Sequence, residues 1–183
     1  MPAVVESYAM THDLRKCMQL LDRLLSGFKD DFSKYRHRSP VQRLGEVFES
    51  VALQTGGKFK YSTVNPDISH YELKLAFELL EKAGLIYRIW HTDARGVPIG
   101  AQTNPRRFKA LMFDIGIFQR IMNLDLPAYI VQSDADLVNK GAVAELFAGL
   151  EMIACSAADL HPKLHYWHRE ARSSNAEVDY VIQ

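Results

Sequence analysis

The chain has 183 residues, of which 22 are basic and 22 acidic, so its formal charge is zero; 48% are apolar and 24% charged. These values fit one globular domain or two small ones with a real core, and they exclude a disordered or fibrous chain. A zero balance argues against a dedicated nucleic-acid binder while leaving room for a local basic patch. Cys17 and Cys155 stand far apart and offer neither a disulfide framework nor metal-ligand spacing, so a reduced, cytoplasmic protein is expected. No apolar run approaches a membrane span, and the first residues lack a basic stretch ahead of an apolar one, so no membrane partner is expected.

In chain order, the first predicted helix runs from Thr11 to Phe28. Leu14, Cys17, Met18, Leu21, Leu24, Leu25 and Phe28 make one apolar stripe along it. A second helix follows Ser39, with Ser39 as its cap, Pro40 at its first position and Gln42 closing a capping box; Gly56-Gly57 ends it. A short turn or helix from Tyr61 to Asp67 leads to a third helix, where Ser69 and Glu72 form another capping box and Gly84 is a left-handed stop. Residues 85–90 and 108–113 read as two strands turned through Asp93-Ala94-Arg95-Gly96. Helix, short helix, helix and hairpin is the order of a winged helix. Asp114 then caps a short helix carrying Phe118, Ile121 and Met122, residues 127–140 are loop-like and helical by turns, and a fifth helix starts near Gly141. Two β-like runs close the sequence, 163–168 and 177–183, joined by Arg172-Ser173-Ser174-Asn175; in the last, Glu177 and Asp179 share one face. A two-stranded ribbon is unstable alone, so the chain is expected to stop inside a second domain.

Several motifs carry chemistry only at first sight. Thr55-Gly56-Gly57-Lys58-Phe59 lacks the first glycine and the hydroxyl residue of a phosphate loop. Asp134, Asp136 and Glu145 fall on calcium-loop positions, but Val138 and Asn139 stand where an oxygen ligand and a glycine belong. His161, His165 and His168 do not share one strand face and have no nearby cysteine, so no metal site is read there. The third helix is acidic, with Glu72, Glu78 and Glu81 against Lys74 and Lys82, a poor surface for a polyanion. Arg88, Arg95, Arg106, Arg107 and Lys109 lie in or near the hairpin and could contact phosphates wing-first. Glu145 and Asp179 make the one enzyme-like carboxylate pair, of a kind that could hold magnesium and activate a water.

Stretches 1–5, 29–35, 57–62, 76–87, 108–116, 144–147, 165–170 and 175–181 carry a resemblance over essentially the whole chain. They include Ala76-Phe77-Glu78-Leu79-Leu80-Glu81-Lys82-Ala83-Gly84, Phe108-Lys109-Ala110-Leu111-Met112-Phe113 and Asn175-Ala176-Glu177-Val178-Asp179-Tyr180. Together they resemble bacterial and archaeal AAA+ superfamily ATPases that bear a C-terminal domain of unknown function. The resemblance implies an ATPase core, then a winged helix, then a restriction-endonuclease-like fold of the PD-(D/E)xK type. It implies a helical linker over 1–38 after a missing ATPase core, a winged helix over 39–125 and an incomplete nuclease-like segment over 126–183. The expected fold class is thus mainly α with small β: a winged helix-turn-helix and a truncated α/β segment. Glu145 would match the helix acid and Asp179 the strand acid of the nuclease pattern, while the Glu-x-Lys strand and the Walker motifs have no counterpart.

Three functional expectations follow. The leading one is a non-catalytic docking or regulatory fragment that works beside its own or another chain's ATPase core. It needs no cofactor itself; ATP and magnesium belong to that missing core, and magnesium otherwise only to a completed nuclease site. The second is a DNA-binding module using the basic wing, and the third a metal-dependent nuclease completed by another subunit. The unfinished sheet edge also makes a homo-oligomer plausible.

Overall fold

The computed structural model describes residues 1–124, 140–155, 164–171 and 174–183. Asp134, Asp136, His161, Arg172 and Ser173 lie outside the described residues. No helix among the described residues is long and apolar enough to cross a membrane.

The expected first helix is two helices, α1 (Pro2–Thr11) and α2 (Leu14–Asp31). His12 adopts a left-handed conformation at φ 50°, and the Asp13 carboxylate accepts the N–H groups of Arg15 (2.9 Å) and Lys16 (3.2 Å), so a stop and a new cap separate them. The α2 stripe survives this shift, with Cys17 and Leu21 buried. After a 3-10 turn (Phe32–Tyr35), α3 (Val41–Leu53) begins one residue later than its predicted box requires. Pro40 itself takes the cap position, Ser39 Oγ is buried without a hydrogen-bond partner, and Gln42 bonds Glu46 instead. The second box does form: Ser69 Oγ accepts the Glu72 N–H at the start of α5 (His70–Lys82), which follows the single turn α4 (Tyr61–Val64). Gly84, at φ 71°, ends α5 as its sequence predicts.

β1 (Ile86–Thr92) and β2 (Thr103–Met112) pair antiparallel, Ile86 opposite Met112 and Trp90 opposite Phe108, with an irregularity beyond Trp90. Lys58 bridges Lys109, and the Phe59 N–H reaches the Phe108 carbonyl at 3.0 Å, so the segment between α3 and α4 covers the outer edge of β2. α6 (Ile115–Ile121) starts on Asp114, whose side chain accepts the Ile117 N–H.

The sheet then grows beyond the expected hairpin. β3 (His165–Ala171) lies parallel to β1 through Trp90–His165 and His91–Tyr166, and β4 (Ser174–Val181) is antiparallel to β3, giving the order β2-β1-β3-β4. The described residues are therefore mixed α/β with one four-stranded mixed sheet. The late ribbon gains the neighbours it lacks alone, and the sheet crosses the expected division at residue 125. α7 (Lys140–Ala154) packs on this sheet. A single apolar cluster joins Phe48 of α3, Phe77 of α5, Ile86, Leu111, Phe118, Leu146 of α7 and Tyr166 of β3, all at most 2% exposed.

Candidate functional site

All five residues from Phe108 to Met112 are buried; α3, α6 and α7 pack against β2, and the bridging segment closes its edge. One of the five is a lysine. A buried ammonium is tolerated only where acids meet it, and three do. Lys109 Nζ donates to Glu145 Oε1 at 2.8 Å and to Asp179 Oδ1 at 3.0 Å, and lies 2.6 Å from Glu177 Oε1. The Tyr166 ring centroid is 5.4 Å from the same nitrogen.

Each acid is placed by a simple local rule. Glu177 and Asp179 are two apart on β4, so the strand period puts both on one face, as the sequence predicts. Glu145 sits one residue before the buried Leu146 on α7, and the Tyr180 hydroxyl donates to the Glu145 carbonyl at 2.7 Å, tying α7 to β4. Gly149 lets that approach happen, since a Cβ there would lie 2.7 Å from Leu111 Cδ1 and closer still to the Tyr180 hydroxyl.

The electrostatics follow from this crowding. Burial opposes the Lys109 charge, but the hydrogen bonds it donates to Glu145, Glu177 and Asp179 outweigh this and hold the ammonium above the ordinary lysine value. For Glu145, burial pushes the carboxyl up, and Lys109, shared with two other acids, pulls it back only in part. A lysine held so firmly protonated is neither a nucleophile nor a general base. Among the described residues no set of three His, Cys, Asp or Glu side chains is arranged to hold a metal ion. The arrangement therefore does not fit the magnesium ion that a nuclease pattern implies: the acids converge on an ammonium instead.

The basic residues expected on a wing divide into two groups. Lys109 and Arg88 point inward, which corrects their expected place. The Arg88 side chain is 10% exposed, its guanidinium 4.6 Å from the Phe77 ring centroid and 4.9 Å from those of Trp90 and Phe108, with Nη2 2.8 Å from Glu81 Oε2. Arg95, at the hairpin turn, and Arg106 and Arg107, on β2, are exposed. Among the described histidines, His165 is buried and meets Thr103 Oγ1 at 3.1 Å, and His91 Nε2 meets the His168 carbonyl at 3.2 Å.

The sequence brings Glu145 and Asp179 into one reading but assigns Lys109 to another, and it passes over Glu177 as a partner. The available signal was the lysine itself, lying in a run of six residues otherwise apolar.

A mixed α/β protein whose late hairpin and last helix are pinned by a buried lysine is what this fold and site define. Residues 1–128 match the family described as Domain of unknown function (DUF8612), and the chain belongs to that family. No curated protein and no solved structure matches the chain. The matched region contains Lys109 but none of the three acids around it.

Proposed function

We propose that this chain is a non-catalytic docking or regulatory module of winged-helix type, working beside an AAA+ ATPase core supplied by its own or another chain. The observation that carries the reading is the ammonium of Lys109 at the meeting point of Glu145, Glu177 and Asp179. The residues with the most enzyme-like character are spent on holding β2, α7 and β4 together. Two features support the rest. The order α3, the Lys58–Phe59 edge, α4, α5, β1, β2 is that of a winged helix with its first short strand in place. And α1 buries none of its residues, leaving Val5 and Tyr8, one turn apart, open to a partner.

The purified chain is expected to release no phosphate from ATP and to leave plasmid DNA uncut in magnesium. It should bind an isolated AAA+ core from the resembled family, and Val5→Asp with Tyr8→Asp should weaken that binding. ATP turnover, or magnesium-dependent cutting that disappears in Asp179→Ala, would replace this reading with an enzymatic one.

A further inference from the structure

Between α4, the first turns of α5 and the β1–β2 hairpin lies an open cleft of about 750 Å³, within the range of small-ligand sites. Its lining has an unusual composition. Phe59, Tyr61, Trp90 and Phe108 supply rings, Lys60, Lys74, Arg88 and Arg106 supply cations, and Glu78 is the single acid among the described residues that line it. Among the described residues no Leu, Ile, Val or Met lines it, so an aliphatic side chain of a partner helix would find no matching wall there. The whole chain is neutral, which makes this concentration of positive charge local.

The cleft is also built in advance. Phe59 packs on Phe77 at 5.1 Å and stacks on Phe108 at 5.6 Å, while Trp90 meets Phe108 edge-on at 5.6 Å. Gln54 accepts the Lys60 N–H at 2.8 Å and donates to its carbonyl at 3.2 Å, fixing the loop that presents Lys60 and Tyr61. Phe59 and Phe108 are buried, Tyr61 and Trp90 half-buried, and Lys60, Lys74 and Arg106 exposed. Arg88, nine-tenths buried in this lining, has an Nε without a hydrogen-bond partner.

We infer that this cleft binds a nucleobase with its adjoining phosphate, the base against Trp90 and Tyr61 and the phosphate at Lys60 and Arg106. Ring walls take any base by its π-face, and the cations at the mouth meet the negative charge beside it. The ligand is either a free nucleotide or one unit of a single strand. This site stands apart from the docking reading and does not depend on it.

The test uses the full chain carrying Trp167→Phe, so that Trp90 is its one tryptophan. A short oligothymidylate labelled with fluorescein is titrated at low and at physiological salt, with fluorescence anisotropy and Trp90 emission both recorded. Saturable binding that quenches Trp90 and weakens with salt is expected. Lys60→Glu with Arg106→Glu, both on the surface, should weaken it at least about tenfold with an unchanged melting temperature, while Arg15→Glu on α2 should not. Competition by a mononucleotide at matching concentration assigns the site to free nucleotides; competition only by unlabelled single strand assigns it to a strand. No saturable binding at low salt overturns the inference. So does binding without Trp90 quenching, binding untouched by the double charge reversal, or tighter binding of an acidic tyrosine-rich peptide.

Discussion

Removing the Lys109 amine would leave Glu145, 9% exposed, beside two further acids and without its cation. Glu177 and Asp179, 40% and 55% exposed, can turn toward water, so the penalty falls on the one acid that cannot. Lys109→Met should therefore cost about 3 kcal/mol, the size typical of breaking a buried pair from one side. In a chain of this length that lowers the melting temperature by roughly 10 °C. Glu145→Gln behaves differently. Its amide oxygen can still accept from Lys109, two carboxylates still balance the ammonium, and burial already disfavours the Glu145 charge, so the single change should be close to neutral. Adding it to Lys109→Met should recover part of the lost stability. A double-mutant cycle by urea unfolding measures this coupling, and additive losses would mean that the three acids do not act through Lys109. The cluster also marks where residue-level reading stops. A lysine in Phe108–Phe113 signals a needed counter-charge, but which acids meet it depends on strand pairing across some seventy residues, a long-range choice that local pattern does not encode.

Helices with strong local chemistry were legible at the level of elements. α3, α5 and the start of α6 follow from apolar spacing, a serine or aspartate cap, and Gly84. Both misread ends are helix starts. The helix expected from Thr11 instead breaks at His12 and restarts on the Asp13 cap, and α3 takes Pro40 rather than Ser39 as its cap residue. The parallel contact of β1 with β3 was not legible, since nothing in either strand names its neighbour. Where α7 meets the sheet, one glycine decides the fit. Alanine in a helix interior normally gains up to about 1 kcal/mol over glycine. At Gly149, however, a Cβ would press on the Tyr180 hydroxyl and on Leu111 Cδ1, both part of the packed sheet. Gly149→Ala should destabilise the protein by about 1–3 kcal/mol. Gly45 in α3 is the control, because a Cβ there meets nothing within 4 Å. Gly45→Ala should be stabilising in the same denaturation experiment, and a gain at Gly149 as well would show that α7 stands off the sheet.

For the molecule as a whole, four alkaline-range groups, Tyr61, Tyr166, Tyr180 and Lys109, are raised and one, Lys58, is lowered. Burial pushes Tyr61 up to about 12, and it raises Tyr166 and Tyr180 as well. Lys109 is raised by its acids against the pull of burial; Lys58, lowered by burial and by Arg107, runs the other way. A group whose pKa is higher in the folded chain keeps its proton longer there than in the unfolded chain. Its contribution is complete below the unfolded value, 10.0 for tyrosine, and is lost as pH climbs through the folded one. Stability should therefore fall steadily above pH 10, through the window that ends for Tyr61 near 12. Tyr61→Phe removes one ionising group and keeps the ring that packs on Phe59 and Phe77, so it should flatten the fall without altering stability near neutrality by more than a modest amount. Urea midpoints measured from neutral to strongly alkaline buffer decide the matter. A midpoint that holds constant above pH 10 in the parent chain would mean that these rings and the Lys109 ammonium reach solvent as freely folded as unfolded. An unchanged slope in Tyr61→Phe would move the effect to Tyr166, Tyr180 and Lys109, where the sheet meets α7.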